Sequence, residues 1–219
     1  MRNGGGSRPT KARKKACMPT NLENKWVLIT GASSGFGAAA ACAFGREGCK
    51  LLLGARRLDR LATVAADAKK AGSPAAHVHA LDVAQTNSVN DFLSWARTHT
   101  DRIDVLINNA GGGKGLDPVA QAKDEDWEFM VQTNVLGVLR VTRACLPLMT
   151  NNPGSYILNI GSVAGRVAYE GVIPLTDEDI AEALVWAASR PSHVCIDEML
   201  IKCTDQAAIH KVHRRTQGK

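Results

Sequence analysis

A glycine-rich stretch near the N-terminus, TGASSGFG at residues 30–37, has the residue types that bind a nucleotide pyrophosphate. Phosphate oxygens need exposed backbone N–H groups at a helix N-terminus, and glycine leaves those groups open where a longer side chain would block them. Hydroxyl donors stand in the same stretch. The residues that would act in this way are Gly31, Ser33, Ser34, Gly35 and Gly37. A simple tight turn is the alternative, but the stretch follows an apolar run and opens an alanine-rich one, the context that the dinucleotide-binding motif requires.

Two arginines, Arg56 and Arg57, stand where a second apolar run ends, at the position that lies beside the adenosine ribose in a dinucleotide-binding fold. Asp or Glu at this position would accept hydrogen bonds from a free 2′-hydroxyl. Guanidinium groups instead suit a 2′-phosphate, because they pair with it bidentately. The sequence therefore favours NADP(H) over NAD(H). Solvent-exposed arginines at the start of a helix are the alternative.

Strand-like and helix-like patterns alternate along the chain, and these elements must position the residues above. Short apolar runs predict six strands, at 25–30, 49–56, 75–81, 103–111, 155–162 and 193–202. Apolar residues at three- to four-residue spacing predict helices at 36–48, 57–72, 88–99, 124–149 and 177–189, the fourth closed by Pro147. The alternation predicts an α/β fold, a Rossmann-like doubly wound parallel sheet in three α/β/α layers. The last strand is expected to pair beside the fifth strand or to stay loose.

Length and composition suit one soluble globular domain, expected over residues 21–209 of the 219. Six scattered cysteines without a CxxC pair argue against a zinc site or a disulfide framework and for a reducing compartment. No apolar run is long enough for a membrane span. A cytoplasmic protein is therefore expected, with no metal and no membrane partner.

The basic tail over residues 1–20 carries the whole net charge of +6, so the rest of the chain is balanced. That balance does not suit nucleic-acid binding by the body of the protein. A disordered extension is expected for the tail, with a nuclear address, a patch that binds an acidic surface or part of an organellar presequence as alternatives for KARKK. A flexible basic C-terminus is expected over 210–219.

Five motifs in register give the chain a resemblance to the short-chain dehydrogenase/reductase family. TGASSGFG at 30–37 looks like the family's cofactor loop, and LDV at 81–83 looks like the segment after its third strand. NNAG at 108–111 resembles the family's fourth-strand signature. TNVLG at 133–137 resembles the helix with the structural-catalytic asparagine, and NIGSVAG at 159–165 resembles the fifth strand with the catalytic serine.

The resemblance implies a role for each matching residue. Ser162 would be the catalytic serine that hydrogen-bonds the substrate oxygen, and Asn134 the asparagine that holds the helix and the water leading to the catalytic lysine. Asp82 would contact the adenine. NADP is the implied cofactor, with contacts from Gly31, Ser33, Ser34, Gly35, Phe36, Gly37, Arg56, Arg57, Asp82, Val83, Asn109, Ala110 and Gly111.

The C-terminal segment over 171–207 resembles one branch of the family, the NADP-dependent 3-hydroxy acid and serine dehydrogenases. The resemblance implies hydride transfer between a small hydroxy acid and its carbonyl form. Family members form homo-oligomers through their long fourth and fifth helices. Only the fourth helix is expected here, so the resemblance implies a compromised interface.

The chain departs from the family's pattern after Ser162, where a Tyr-x-x-x-Lys pair should follow. In that pair the phenol exchanges a proton with the substrate oxygen, and the lysine lowers the pKa of the phenol. The only tyrosine after Ser162 is Tyr169, and the residue four positions later is Ile173. No lysine occurs between Lys123 and Lys202.

An internal deletion after Ser162 accounts for this departure. The family's sixth strand with its flanking helices does not fit into residues 164–175, since a crossover unit needs roughly 30 residues. Two functions therefore stay open. One is an NADP(H)-dependent oxidoreductase acting on a small hydroxy acid, and the other is a non-catalytic NADP-binding remnant that lacks the Tyr-x-x-x-Lys pair. Tyr169 is expected to be an ordinary loop or core tyrosine, because nothing at helical spacing would lower its pKa.

Overall fold

The computed structural model describes residues 21–115, 117–150, 154–162 and 175–202. Within them, five strands form one parallel sheet in the order β3-β2-β1-β4-β5. The strands are β1 (Trp26–Thr30), β2 (Lys50–Ala55), β3 (Ala76–Ala80), β4 (Val105–Asn108) and β5 (Tyr156–Asn159). The described helices are α1 (Gly35–Arg46), α2 (Leu58–Ala71), α3 (Thr86–Ala96), α4 (Asp124–Met130), α5 (Gly137–Met149) and α6 (Asp177–Ala188). The predicted Rossmann-like α/β fold is confirmed.

The two faces of the sheet are covered by different helices, which gives three layers. Side chains of a strand alternate between faces, so Ile29 and Leu28 of β1 point in opposite directions. Ile29 belongs to a buried cluster with Phe44 of α1 and Leu184 of α6. Leu28 belongs to a second cluster with Phe92 of α3 and with residues of α5. The strand order reverses between β1 and β4, and ligands bind at such a point in open α/β sheets.

A buried carboxylate, Asp104, fastens the N-terminal ends of β1 and β4 together. Its side chain is 2% exposed, and Oδ1 lies 3.2 Å from Lys25 Nζ. Asp104 Oδ2 accepts a hydrogen bond of 2.7 Å from the Trp26 N–H and lies 3.5 Å from Arg102 Nε. Since a buried charge without partners is costly, these contacts hold the register of the two central strands.

The predicted helix over 124–149 is present in three parts. A π-helical segment, Val131–Leu136, stands between α4 and α5. Pro147 lies inside α5, and the helix continues to Met149. The helical stretch ends at Met149, as predicted, and it accommodates Pro147 two residues earlier, because a proline near the C-terminal end costs the helix only one backbone hydrogen bond.

Residues 193–202, predicted as a sixth strand, carry no strand in the structure. A strand beside β5 would be reached through α6, which packs against α1 on the same face of the sheet. The connection from β1 through α1 to β2 moves along the sheet toward β3, whereas a connection from β5 to a new outer strand would move away from β3. A crossover through α6 to the outer side of β5 would therefore be left-handed, and parallel crossovers are nearly always right-handed. The strand prediction is wrong, and β5 is the edge of the described sheet.

The expected domain limits, residues 21 and 209, stay predictions. The tail over 1–20, the C-terminal segment over 203–219 and Tyr169 all lie outside the described residues. Among the helices that the structure describes, none has the length and apolar character needed to cross a membrane.

Candidate functional site

The glycine loop lies at the C-terminal end of β1, packed against the segment that follows β4. Gly31 has φ +66°, and a Cβ there would stand 2.7 Å from Ala110 Cα. A Cβ at Gly37 would stand 2.6 Å from the Gly31 carbonyl oxygen. These positions accept glycine only, because the backbone of the loop packs closely against itself and against the segment after β4. The tightly packed loop over residues 31–37 forms a cradle of backbone groups at the start of α1.

Thr30 joins the loop to the signature after β4. Its Oγ1 accepts hydrogen bonds of 3.0 Å from the N–H groups of Asn109 and Ala110. Asn109 Nδ2 donates to the Thr30 carbonyl at 3.0 Å and to the Gly31 carbonyl at 3.3 Å. The role of Thr30 was missed by the sequence reasoning, although it is the first residue of the quoted motif. The sequence feature that indicates this role is a hydroxyl side chain at the last position of a predicted strand, where the end of a neighbouring strand comes close.

The N-terminus of α1 presents uncapped N–H groups to this cradle. Ser34 is its N-cap residue but makes no side-chain capping hydrogen bond, and the first turn contains no acid. Gly35 has φ +57°, and Phe36 follows it in the first turn. The helix dipole therefore offers its positive end to an anion. Asp177, at the start of α6, has Oδ1 3.9 Å from the position of a Cβ on Gly35, so one acid borders the loop.

Arg57 extends from the start of α2 to the same loop. Its Nη2 donates to Ser33 Oγ at 3.1 Å and to Ser34 Oγ at 2.8 Å. Ser33 is 8% exposed, whereas Arg56 and Arg57 are exposed. Among the described residues, no carboxylate lies within ion-pair distance of Arg57. The group combines a cation with two hydroxyls, which are donor types that suit a 2′-phosphate.

Asp82 and Val83 follow β3 at the same edge of the sheet. Asp82 Oδ1 accepts from the Ala84 N–H at 3.0 Å, and the Asp82 N–H donates to Ser88 Oγ at 2.9 Å. Val83 is 5% exposed, and a Cβ at Gly137 would stand 2.8 Å from its Cγ2. The carboxylate of Asp82 is thus fixed by local turn contacts, while the Val83 side chain packs against the start of α5.

Asn134 lies in the π-helical segment and pairs with the backbone of Gly112. Its Oδ1 accepts from the Gly112 N–H at 3.1 Å, and its Nδ2 donates to the Gly112 carbonyl at 2.9 Å. A Cβ at Gly111 would stand 2.9 Å from Asn134 Oδ1, so the loop needs glycine to come this close. π-Helical turns inside helices occur frequently at functional sites. The sequence predicted a continuous helix here and gave no sign of the π-helical turn.

Ser162 is exposed and stands beyond the end of β5. The register pairs Asn108 of β4 with Asn159 of β5, so Ser162 and Gly111 follow neighbouring strands at the same edge. Asn108 Nδ2 donates to Asn159 Oδ1 at 2.9 Å and to Thr142 Oγ1 at 3.0 Å. These bonds fix the ends of both strands below the site.

A phenol that could exchange a proton at this edge is not found among the described residues. The chain has two tyrosines, Tyr156 and Tyr169. Tyr156 begins β5, at the opposite end of the sheet, and its Oη donates to the Arg190 carbonyl at 3.0 Å. Tyr169 lies outside the described residues.

The part of the chain that the structure describes contains no set of side chains that could bind a metal ion. No three His, Cys, Asp or Glu side chains there are grouped so that they could hold an ion. Burial raises the pKa of the thiols of Cys49 and Cys145 to about 12. Both cysteines are therefore neutral core residues at physiological pH rather than nucleophiles.

Comparisons with known proteins identify the family of the chain and several proteins with a similar sequence or fold. The profile of the family described as "short chain dehydrogenase" matches residues 25–174. An "uncharacterized oxidoreductase" of Staphylococcus saprophyticus is 40% identical over 154 residues, covering 69% of this chain and 60% of that protein. The NADP-dependent 3-hydroxy acid dehydrogenase YdfG of Escherichia coli is 28% identical over 250 residues, covering 86% of this chain and 99% of its own length. The crystal structure of a metagenomic short-chain oxidoreductase in complex with NADP has a TM-score of 0.77 and 26% identity, over 84% of this chain and 98% of that one.

The comparison with YdfG also bears on the length of the chain. An 86% share of 219 residues is about 188 residues, so about 60 positions of the 250-residue alignment have no counterpart here. The chain is thus shorter than its relatives within the aligned region, as the expected internal deletion requires. It spans 60% of the length of the Staphylococcus relative.

Proposed function

Because the chain belongs to the short chain dehydrogenase family, we propose that its site binds NADP(H) and is built for hydride transfer between a small hydroxy acid and the matching carbonyl compound. The family, the enzyme class and the NADP cofactor type, all expected from the sequence, are confirmed by the comparisons. The roles of individual residues and the substrate class are the proposal. The contact of Arg57 with Ser33 and Ser34, beside the glycine cradle, is the observation that carries it.

The residues present fit the cofactor. The cradle formed by Gly31, Gly35 and Gly37 and the start of α1 would hold the pyrophosphate, and Ser33, Ser34, Arg56 and Arg57 would hold the 2′-phosphate. Asp82 and Val83 would border the adenine, and Phe36 with the segment Asn109–Gly111 would border the ribose rings. When bound, the nicotinamide ring supplies or accepts the hydride.

The reacting end would use two residues of this chain. Ser162 would donate a hydrogen bond to the substrate oxygen, and Asn134 would hold the Gly111–Gly112 backbone against the helix beside it. When a hydride adds to the carbonyl carbon, the carbonyl oxygen also needs a proton. Without a Tyr-x-x-x-Lys pair after Ser162, that proton must come from water, so we expect slow turnover.

A second candidate function is NADP(H) binding without turnover. The absence of the Tyr-x-x-x-Lys pair from the sequence after Ser162 favours it. Positioned general acid–base groups contribute roughly 10²- to 10⁴-fold to rates, so their loss would leave a binding protein with residual chemistry at most.

One experiment separates the two candidates. Purified full-length protein is titrated with NADP⁺ by calorimetry, and absorbance of the reduced cofactor is then followed with L-serine or 3-hydroxyisobutyrate. Binding with turnover that Ser162→Ala removes supports the oxidoreductase. Binding without turnover supports the second candidate, and no binding contradicts both. Turnover abolished by Tyr169→Phe would overturn the expectation that Tyr169 is an ordinary tyrosine.

Three further points stay proposals of ours. We propose a single domain over residues 21–209 in a cytoplasmic protein, supported by one continuous sheet and by the scattered cysteines. We also propose that the homo-oligomer interface of the family is incomplete here. Its support is that residues 164–175 are too few for the family's sixth strand with its flanking helices. The fourth predicted helix is present and has exposed apolar side chains, namely Trp127, Val131, Val135, Leu139 and Leu146.

A further inference from the structure

The loop over residues 111–115 places a lysine next to the candidate catalytic asparagine. The Lys114 N–H donates to Met130 Sδ at 3.3 Å, and Asn134 Nδ2 donates to the same sulfur at 3.4 Å. Asn134 also grips the backbone of Gly112, two residues before Lys114. The backbone N–H of Lys114 and the side chain of Asn134 thus share Met130 Sδ as an acceptor, which fixes the loop of Lys114 beside Asn134.

The ammonium group of Lys114 is positioned by an aromatic ring rather than by a carboxylate. Its Nζ lies 4.5 Å from the centre of the Phe129 ring, a cation–π contact. Among the described residues, no carboxylate lies within ion-pair distance of this ammonium. Asp126 borders the same loop, with Oδ2 3.4 Å from the position of a Cβ on Gly115, and it does not pair with Lys114. The ammonium is positioned by a ring and keeps its charge available for an anion.

We propose that Lys114 binds the carboxylate of the hydroxy-acid substrate, an inference that rests on the function proposed above. In a 3-hydroxy acid the carboxylate is two bonds from the carbinol carbon. Ser162 and Gly111 follow neighbouring strands at the same edge of the sheet, so a hydroxy acid whose oxygen is bound at Ser162 would have the loop that carries Lys114 beside it. The long flexible stem of the lysine would then bring its ammonium to the carboxylate. Lys114 thereby selects 3-hydroxy acids over neutral alcohols of the same size. It touches the substrate away from the reacting atoms and sets specificity rather than rate.

Binding, not turnover, tests this role, so the test does not depend on the missing proton donor. The full-length protein is saturated with NADP⁺ and titrated by calorimetry with 3-hydroxypropanoate and, separately, with the neutral 3-hydroxypropanamide. The variants are Lys114→Met, which removes the charge and keeps the length, and Lys114→Arg, which restores the charge. Lys123→Met, an exposed lysine before α4, is the matched control.

We expect Lys114→Met to weaken 3-hydroxypropanoate binding about tenfold, the size of one charge-assisted hydrogen bond. Affinity for the amide and for NADP⁺ stays unchanged, Lys114→Arg recovers most of the loss, and Lys123→Met behaves as wild type. Equal affinity of wild type and Lys114→Met for 3-hydroxypropanoate overturns the inference, as does the lack of any binding to the NADP⁺ complex. A protein that does not bind NADP⁺ contradicts the proposed function itself.

Discussion

Arg57 and Ser34 join two different strand–helix turns, since Arg57 Nη2 lies 2.8 Å from Ser34 Oγ. Arg57 stands at the start of α2, after β2, whereas Ser34 stands at the start of α1, after β1. The pair brings a guanidinium to the glycine loop between β1 and α1. A phosphate on the adenosine ribose would find a cation and two hydroxyls already assembled.

Replacing Arg57 by alanine removes this cation. We expect NADP⁺ affinity to fall about 10- to 100-fold while the weaker NAD⁺ affinity stays unchanged, because only NADP⁺ has the 2′-phosphate. Calorimetric titration of each cofactor checks the effect. Arg60→Ala on the exposed surface of α2 is the control and should bind both cofactors as wild type does. Parallel losses for NADP⁺ and NAD⁺ would contradict the role of Arg57.

Gly31→Ala should disrupt the cradle. Its φ of +66° is unfavourable for alanine, and the new Cβ would lie 2.7 Å from Ala110 Cα. We expect the free energy of unfolding to drop by about 2 kcal/mol or more, measured by urea denaturation. Gly113→Ala has nothing within 4 Å of its Cβ and should lose far less. Similar losses at both positions would mean that the close approach at Gly31 is not important for stability.

Asp104→Ala tests the fastening of β1 to β4. The substitution leaves Lys25, Arg102 and the Trp26 N–H without a buried acceptor, and we expect a loss of about 3 kcal/mol in the free energy of unfolding. Asp67→Ala breaks an exposed pair with Lys70 and should change it by about 0.5 kcal/mol at most. Urea midpoints of the two variants compare the two sites. A small loss in the free energy of unfolding of Asp104→Ala would contradict the role of Asp104 in holding β1 and β4 together.

Acid should weaken the fold at a stacked histidine pair. The rings of His77 on β3 and His99 after α3 have centroids 4.0 Å apart, and the Trp26 and Trp95 rings flank the pair. Burial, then the charges of His99 and Lys69, lower the pKa of His77 from its ordinary value of 6.5. As the pH falls below that value, His77 takes up a proton more readily in the unfolded chain than in the folded protein. The free energy of unfolding therefore falls as the pH falls.

The measurement is the urea midpoint at pH 7.5 and at pH 5.5, followed by tryptophan fluorescence. His99→Gln removes the neighbouring charge while keeping a planar polar side chain, so its loss of stability between the two pH values should be smaller. His193→Gln, outside the sheet and the helices, should keep the wild-type difference. An unchanged pH difference in His99→Gln would contradict a contribution from the charge of His99 and leave burial of His77 as the cause.

Local patterns were sufficient for most of the fold. Each apolar run depends on neighbours in sequence, and the predictions of β1, β2, β3, β4 and β5 are confirmed. Residues 193–202 failed because alternation predicts a strand only where the sheet offers an edge with a right-handed approach. The sequence could not indicate the π-helical segment at Val131–Leu136, which is a matter of backbone hydrogen bonding around Asn134.

At the site, the same division holds. The candidate glycines and arginines could be proposed from short motifs, because the residues of each motif are neighbours in sequence. The hydrogen bonds of Thr30 and Lys114, in contrast, join residues about 80 and 16 positions apart. Such contacts can be identified only once the folded structure is known. The missing Tyr-x-x-x-Lys pair, in contrast, is visible in the sequence alone.

The central claim is that this chain folds and binds NADP(H) at the loop between β1 and α1. Thermal unfolding of the full-length protein with NADPH, with NADH and without cofactor tests it most directly, since a ligand that binds only the folded state raises the midpoint. We predict a rise in the midpoint with NADPH that is absent or much smaller with NADH. No rise with NADPH, or an equal rise with both cofactors, would contradict the account.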